Sequence, residues 1–233
     1  MESHLSRFQH PLDNPVYASL TGSHARFAER RGNVLRYPPD MSPFIGMPDA
    51  PGPDDWAAVA ELVGPGGVAF TPASSAPFPG DWELLRRGDG VQLVGDGLEP
   101  AEDPEAVRLG PDDVPEMLEL ADRTKPGPFL PRTIEFGAYL GIRRDGKLVA
   151  MAGERLRPPG FTEISAVCTD EAWRGHGFAS RLMRTVAVGI ARRGETPFLH
   201  AVATNTTAIK LYEKVGFTLR RAIFFPRARV PCA

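Results

Sequence analysis

The stretch 161–193, FTEISAVCTDEAWRGHGFASRLMRTVAVGIARR, constrains the fold more than any other part of the chain. Residues 161–169 are rich in β-formers, and Ile164, Val167, Cys168 and Thr169 suit a largely buried strand. From Gly175 onward Phe178, Leu182, Met183, Val186 and Ile190 recur at helical spacing, with Arg181, Arg184 and Arg192 on the other face. Arg192 and Arg193 fall at the negative end of that helix, and Gly194 stands where a left-handed cap would.

The turn is Arg174-Gly175-His176-Gly177-Phe178-Ala179. Free amides at a helix start, two residues without side-chain bulk and one arginine make a site for a phosphate or diphosphate. The plainer reading, a tight turn with Arg174 in solvent, stays open at this point. Two other phosphate loops are excluded. No Lys-Ser or Lys-Thr pair closes a longer glycine loop. A dinucleotide turn would need a third glycine where Ser180 stands, and an acidic residue ending the next strand. Glu195 precedes the strand at 198–203, and Thr204 and Asn205 occupy its end.

The run V-C-T-x-x-x-x-R-G-x-G-x-A, followed by a helix, a strand, Asn205 and A-x-x-L-Y-E-K-x-G-F, resembles the GNAT superfamily of N-acyltransferases. Arg174, Gly177 and Ala179 match the first signature; Asn205, Ala208, Leu211, Tyr212, Gly216 and Phe217 match the second. The likeness covers about the last 125 residues, from about Val107. A divergent first half is similar to the glycine N-acyltransferase-like branch. One departure is Ala172, where some relatives carry Gln or Arg.

The resemblance implies a GNAT acyltransferase fold, a mixed α/β sheet, and acetyl-CoA as co-substrate with no metal. It implies that Arg174, Gly175, His176, Gly177, Phe178 and Ala179 hold the diphosphate. Val167 and Thr169 would hold the pantetheine arm and polarise the thioester carbonyl through main-chain amides, and Asn205 would touch the same arm. Tyr212 becomes the general acid: a phenol near ~10 can donate to a thiolate whose thiol sits near ~8.5. Taken alone, Tyr212 would be packing on a face with Ala208, Leu211 and Val215. Glu163 becomes the base toward an amine, with water as the other acceptor; Glu135 and Glu154 are further candidates for acceptor contacts. Gly216 and Phe217 read as a helix cap and its apolar partner. The implied reaction is acetyl transfer to a primary amine by direct attack in a ternary complex, the acceptor being a small molecule or a peptide. The alternative is a catalytically silent module of the same fold that binds acyl-CoA as a sensor or assembly partner.

A net charge of −2 and a pI of about 6.2 give no general attraction to nucleic acid or membrane. No apolar run approaches ~18 residues, and the first ten residues hold no signal core, so a soluble, cytoplasmic protein is expected. Two cysteines suggest no disulfide framework, and the five histidines show no metal-ligand spacing with them. The expected organisation is a poorly packed lead-in at 1–12 and a smaller N-terminal α/β domain at 13–97, which mixes strands and a helix as a degenerate GNAT-like half would. A linker at 98–105 and the acyltransferase domain at 106–233 follow. Within 13–97 we expect a helix from Asp13-Asn14-Pro15, strands at 33–37, 44–47 and 68–71, and a helix capped by Asp54 or Asp55. A loop is expected at 71–80 and a hairpin across Gly88-Asp89-Gly90. Arg26, Arg30 and Arg31 read as a solvated helix end.

Overall fold

Asn14, Gly52 and Asn205 mark three helix starts, and the computed structural model, which describes residues 10–73 and 76–232, places helices there. Residues 1–9 of the expected lead-in, and Ser74 and Ser75 of the loop at 71–80, lie outside the described residues. In chain order the elements are α1 (Pro15–Leu20), β1 (Glu29–Arg31), β2 (Val34–Arg36), β3 (Ile45–Gly46), α2 (Pro53–Val63), β4 (Val68–Phe70), β5 (Glu83–Arg86) and β6 (Asp89–Val94). They continue as β7 (Val107–Arg108), α3 (Val114–Thr124), β8 (Tyr139–Arg144), β9 (Lys147–Glu154), β10 (Phe161–Thr169), α4 (Phe178–Arg192), β11 (Thr196–Val202), α5 (Thr206–Val215), β12 (Thr218–Phe224) and β13 (Arg227–Arg229).

Seven strands form the central sheet in the order β12-β6-β11-β10-β9-β8-β7. Only β10 and β11 run parallel; the other neighbours are antiparallel. One face packs on α4, where Phe178, Leu182, Met183 and Val186 meet Ile142, Ala150, Ile164 and Leu199. Each such fully buried side chain contributes about 1.5–3 kcal/mol relative to exposure. The other face carries two clusters. Leu12, Val16, Phe44 and Phe70 cover Leu156 and Phe198, and α3 sets Met117 and Leu120 against Met151 and Cys168. The smaller sheets are β1-β2-β3 and β4-β13-β5.

Several expectations need revision. The hairpin across Gly88-Asp89-Gly90 does not form: β5 pairs with β13, while β6 enters the central sheet between β11 and β12. A Cβ at Gly90 would lie 2.3 Å from the Phe225 ring, so this glycine serves a close crossing. Residues 89–94 thus belong to the same sheet as 139–202, across the boundary expected at 97. Leu12, assigned to the lead-in, is fully buried, and its carbonyl accepts from Gln92 Nε2 at 2.9 Å. Arg31 lies in a strand, not at a helix end, and pairs with Glu61.

The stretch 98–105 lies along α4. Ala101 N–H donates to Arg184 O at 3.2 Å, and Thr185 Oγ1 donates to Ala101 O at 3.1 Å. Asp103 and Glu105 meet Arg181, and Glu102 meets Arg192 at 2.7 Å. Exposed ion pairs contribute little each, so the main-chain bonds are the firmer anchor. The arginine face of α4 is thereby covered by acids of an acidic strap.

Candidate functional site

The site begins where two strands part. β10 and β11 pair only at Phe161–Glu163 with Thr196–Phe198; beyond that they diverge. A bulge between Ser165 and Cys168, with Ala166 at φ +52°, sharpens the bend. Asp170 N–H donates to Val149 O at 2.8 Å, on the β9 side. Since Asp170 bonds toward β9, alternation turns the main-chain groups of Thr169 into the gap, while Val167 lies within the bulge and lines the cleft.

The glycine turn closes one end of this gap. Gly175 and Gly177 have φ of +84° and +74°, and a Cβ at either would meet nothing within 4 Å. That pair is a bare cradle, open on the ligand side, and non-glycine residues would be strained in it. Gly177 is the N-cap of α4 and offers no side chain to the first-turn amides, which leaves them free for an anion. The helix begins at Phe178, three residues later than expected. The His176 ring turns back on its own loop, with Nδ1 donating to Trp173 O at 3.1 Å and Arg174 O at 3.2 Å, and it does not line the cleft. Phe178 is buried against the core, so its amide is what faces the cradle. Arg174 is largely exposed, and among the described residues its guanidinium makes only a loose 3.8 Å contact to Glu171.

Turn and gap are parts of one cleft of about 1270 Å³. Val167, Thr169, Arg174, Gly177, Asn205 and Tyr212 all line it, whereas among the described residues no Asp or Glu does. Lys125 and Arg184, which face Asp122 and Glu99, also line the cleft, as do Lys210, Lys214, Arg86, Arg155 and Arg227. The cleft passes through the sheet. Tyr212 and Phe178 belong to the α4-side cluster, while Phe44, Phe70 and Phe225 belong to the opposite one. A bare diphosphate cradle beside an unpaired strand edge suits a cofactor built like coenzyme A, with an anionic head and a peptide-like arm.

Tyr212 is half-buried near Phe217, and among the described residues its hydroxyl makes no hydrogen bond. Burial, with a smaller contribution from Cys168, pushes its pKa up to about 12. Asn205 caps α5, its Oδ1 accepting from Ala208 N–H at 3.2 Å, and borders the cleft as well. Gly216 ends α5 at φ +110°, and Phe217 N–H donates to Tyr212 O, so the cap holds the turn that carries the tyrosine.

Glu163 is placed differently from the expectation. It has no exposed surface and does not line the cleft. Arg155 grips it with two bonds of 2.8 and 2.7 Å, and His200 Nδ1 lies 2.8 Å from its Oε1. Burial alone would raise its pKa, but Arg155 and then His200 outweigh it and hold the carboxyl well below the usual range. A carboxylate so held is a poor proton acceptor, and an approaching amine does not reach it. His200 continues the chain: Gln92 Nε2 donates to His200 Nε2 at 3.0 Å, which leaves Nδ1–H to donate to Glu163. Gln92 Oε1 in turn accepts from Arg220 at 2.8 Å. Glu135 and Glu154 pair with Arg132 and Arg193 and do not line the cleft. Arg86, Arg155, His200 and Arg227 do line it, and sequence reasoning passed over all four. The only prior signal for His200 was its alternation with Phe198 along β11.

Cys168 also borders the cleft. Burial pushes its thiol up to about 11, so it stays protonated and is a poor nucleophile. Intact-mass measurement after incubation with acetyl-CoA alone is expected to show no acetyl group on the protein. Iodoacetamide at neutral pH is expected to label exposed Cys232 long before Cys168. A stable acetyl adduct on Cys168 would reverse this assignment.

The model of the FR47-like protein family matches residues 139–225. An acetyltransferase of the GNAT family from Novosphingobium aromaticivorans has 42% identity and a TM-score of 0.85, over 94% of this chain and 98% of its own. The N-alpha-acetyltransferase RimI of Mycobacterium tuberculosis is 38% identical over 82 residues, 34% of this chain and 51% of that protein. An uncharacterized protein of Mycobacterium leprae is 28% identical over 209 residues, 80% of this chain and 55% of its own length. The chain therefore spans about half the length of the curated relatives it matches. Among the described residues no helix is long and apolar enough to cross a membrane.

Proposed function

This chain belongs to the GNAT family, and from that membership we propose that it moves an acetyl group from acetyl-CoA to a primary amine by direct attack in a ternary complex. The observation that carries the reading is the acid-free cleft that joins the bare glycine cradle to the parted strands and to the Tyr212 hydroxyl. Acetyl-CoA supplies, when bound, an activated carbonyl and a thiol leaving group. The amides at the start of α4, with Arg174, hold the diphosphate. The main chain of Val167 and Thr169 pairs with the arm, and one amide donates to the carbonyl oxygen. Asn205 orients the arm from the far strand.

In the balanced reaction the nitrogen–carbon bond forms and the carbon–sulfur bond breaks. One proton leaves the amine and one arrives on the sulfur. Tyr212 serves the sulfur. At about 12 its phenol is protonated throughout the working range, while a free thiol sits near ~8.5. Complete transfer from the phenol is therefore uphill, and its contribution is a hydrogen bond to the departing thiolate. The amine proton goes to water, since Glu163 is committed to Arg155 and His200, and the departing thiolate takes its proton from water.

The test is calorimetry with coenzyme A, followed by an amine panel with acetyl-CoA and free thiol as readout. We expect saturable binding and thiol release that depends on an amine. Gly177→Ala is expected to weaken coenzyme A binding about tenfold or more. A left-handed residue bearing a Cβ costs about 1–2 kcal/mol, and the added methyl intrudes on the cradle. No heat on adding coenzyme A to the folded protein would end the proposal.

A further inference from the structure

We propose that the part of the cleft lined by Arg86, Arg227 and Phe70 is an anion-binding acceptor subsite, and that the acceptor is a small amine bearing a carboxylate and an apolar body, as an α-amino acid does. The inference rests on the acetyl-transfer reading above and names the substrate class for the same cleft. Its central observation is a pair of arginines. Arg227 on β13 stands directly opposite Arg86 on β5, and both line the cleft. Like charges directly opposite each other on paired strands are destabilising. Among the described residues neither arginine makes an ion pair, whereas most arginines of this chain face a carboxylate. Two residues along β13 and, across a register shift, three along β5, Arg229 stands opposite Glu83 in an ordinary pair at 3.0 Å. The sheet can therefore hold a carboxylate across from an arginine, and at the cleft it holds a second arginine. Arg227 is partly buried, and that burial and then Arg86 both act against its charge. A bound anion would relieve both effects.

The surroundings define the rest of the ligand. The Arg227 guanidinium lies 4.1 Å from the centre of the Phe70 ring, which fixes the plane of its donor fork. Phe44 meets Phe70 edge to face at 5.1 Å, and Phe225 completes an apolar wall. A planar fork recognises a carboxylate through two parallel bonds, and the three rings suit an apolar side chain. With no Asp or Glu among the described residues of the lining and Glu163 fully engaged, none of them would hold a second ammonium. Polyamines and lysine side chains are therefore poorly matched. The subsite is also separate from the diphosphate cradle. Phe198 and Leu199 are adjacent on β11 and so face opposite ways; Phe198 packs with Phe44 and Phe70, and Leu199 packs with α4.

The test is steady-state acetylation of L-phenylalanine, L-phenylalaninamide, phenethylamine, O-phosphoethanolamine and an alanyl peptide. Calorimetry with N-acetyl-L-phenylalanine in the presence of coenzyme A runs alongside. Bonds to charged groups are worth about 1.5–3 kcal/mol. We accordingly expect kcat/KM for the free amino acid to exceed that of its amide by about ten- to a hundredfold. Arg227→Gln and Arg86→Gln should each raise KM for L-phenylalanine about tenfold and collapse that ratio, with coenzyme A affinity unchanged. Arg227→Lys, which keeps charge but not the fork, should fall between. Equal use of the amide, preference for the peptide, preference for O-phosphoethanolamine, or no response of KM to the glutamine variants would overturn the assignment. So would an absence of heat with N-acetyl-L-phenylalanine. Failure to bind coenzyme A would instead strike the acetyl-transfer reading itself, so the two failures are distinguishable.

Discussion

Tyr212→Phe, which removes one hydrogen-bond donor to the charge developing on sulfur, is expected to lower kcat about 10²–10³-fold, with KM for acetyl-CoA and the melting temperature nearly unchanged. The ring sits against Phe217 and the α4-side core, and phenylalanine keeps all of that packing. Its hydroxyl has no hydrogen-bond partner among the described residues, so removing it orphans nothing in the fold. What is lost is the hydroxyl that the proposed reaction sets beside the departing sulfur. Raising the pH should not mimic the substitution until the phenol itself ionises, near 12. The measurement is kcat for wild type and variant with a saturating amine, beside coenzyme A binding by calorimetry. A variant that turns over like wild type would remove Tyr212 from the chemistry. A wild-type protein that binds coenzyme A and releases no thiol with any amine would favour the silent binding module.

The parts of the fold legible in the sequence are those whose cause is local. α4 follows from apolar residues at helical spacing, and the ends of α5 follow from Asn205 and Gly216. The bare turn before α4 follows from Gly175 and Gly177, two glycines with one residue between them, because only glycine adopts that backbone cheaply at both positions. The failures share a different origin. Gly88-Asp89-Gly90 has hairpin chemistry, yet Gly90 is small because Phe225 crosses over it, a contact between residues far apart in sequence. No local pattern announces that β6 slots between β11 and β12. The same limit hid the acceptor end of the cleft. Arg86 and Arg227 are ordinary strand residues until the sheet sets them face to face. The role first read for Glu163 came from its position on a strand, which sequence supplies. What decides its chemistry is Arg155 and His200 closing around it, which only the tertiary structure supplies.

Glu163→Gln accordingly tests the fold more than the reaction. The substitution keeps the shape, removes the negative charge and leaves Arg155 buried without a counter-ion. Breaking a buried pair in this way costs about 3–5 kcal/mol, and for a chain of this size each kcal/mol lowers Tm by roughly 2–4 °C. A drop of roughly 6–20 °C is therefore expected. Changing both partners, Glu163→Gln with Arg155→Met, should recover part of the loss, since no orphaned charge remains. The pH dependence follows from the direction of the shift. The folded-state pKa of Glu163 lies below its ordinary 4.5, so its stabilising contribution is complete above 4.5 and is lost as pH falls through the folded value. The gap in melting temperature between wild type and Glu163→Gln should hence be full at neutral pH and narrow progressively below about 4.5. A base in contact with the amine would behave otherwise. Its loss would cut kcat with little change in Tm, and rising pH would restore the rate as the amine lost its proton unaided. Finding that second pattern would return the proton to Glu163 and require the Arg155 pair to open during turnover.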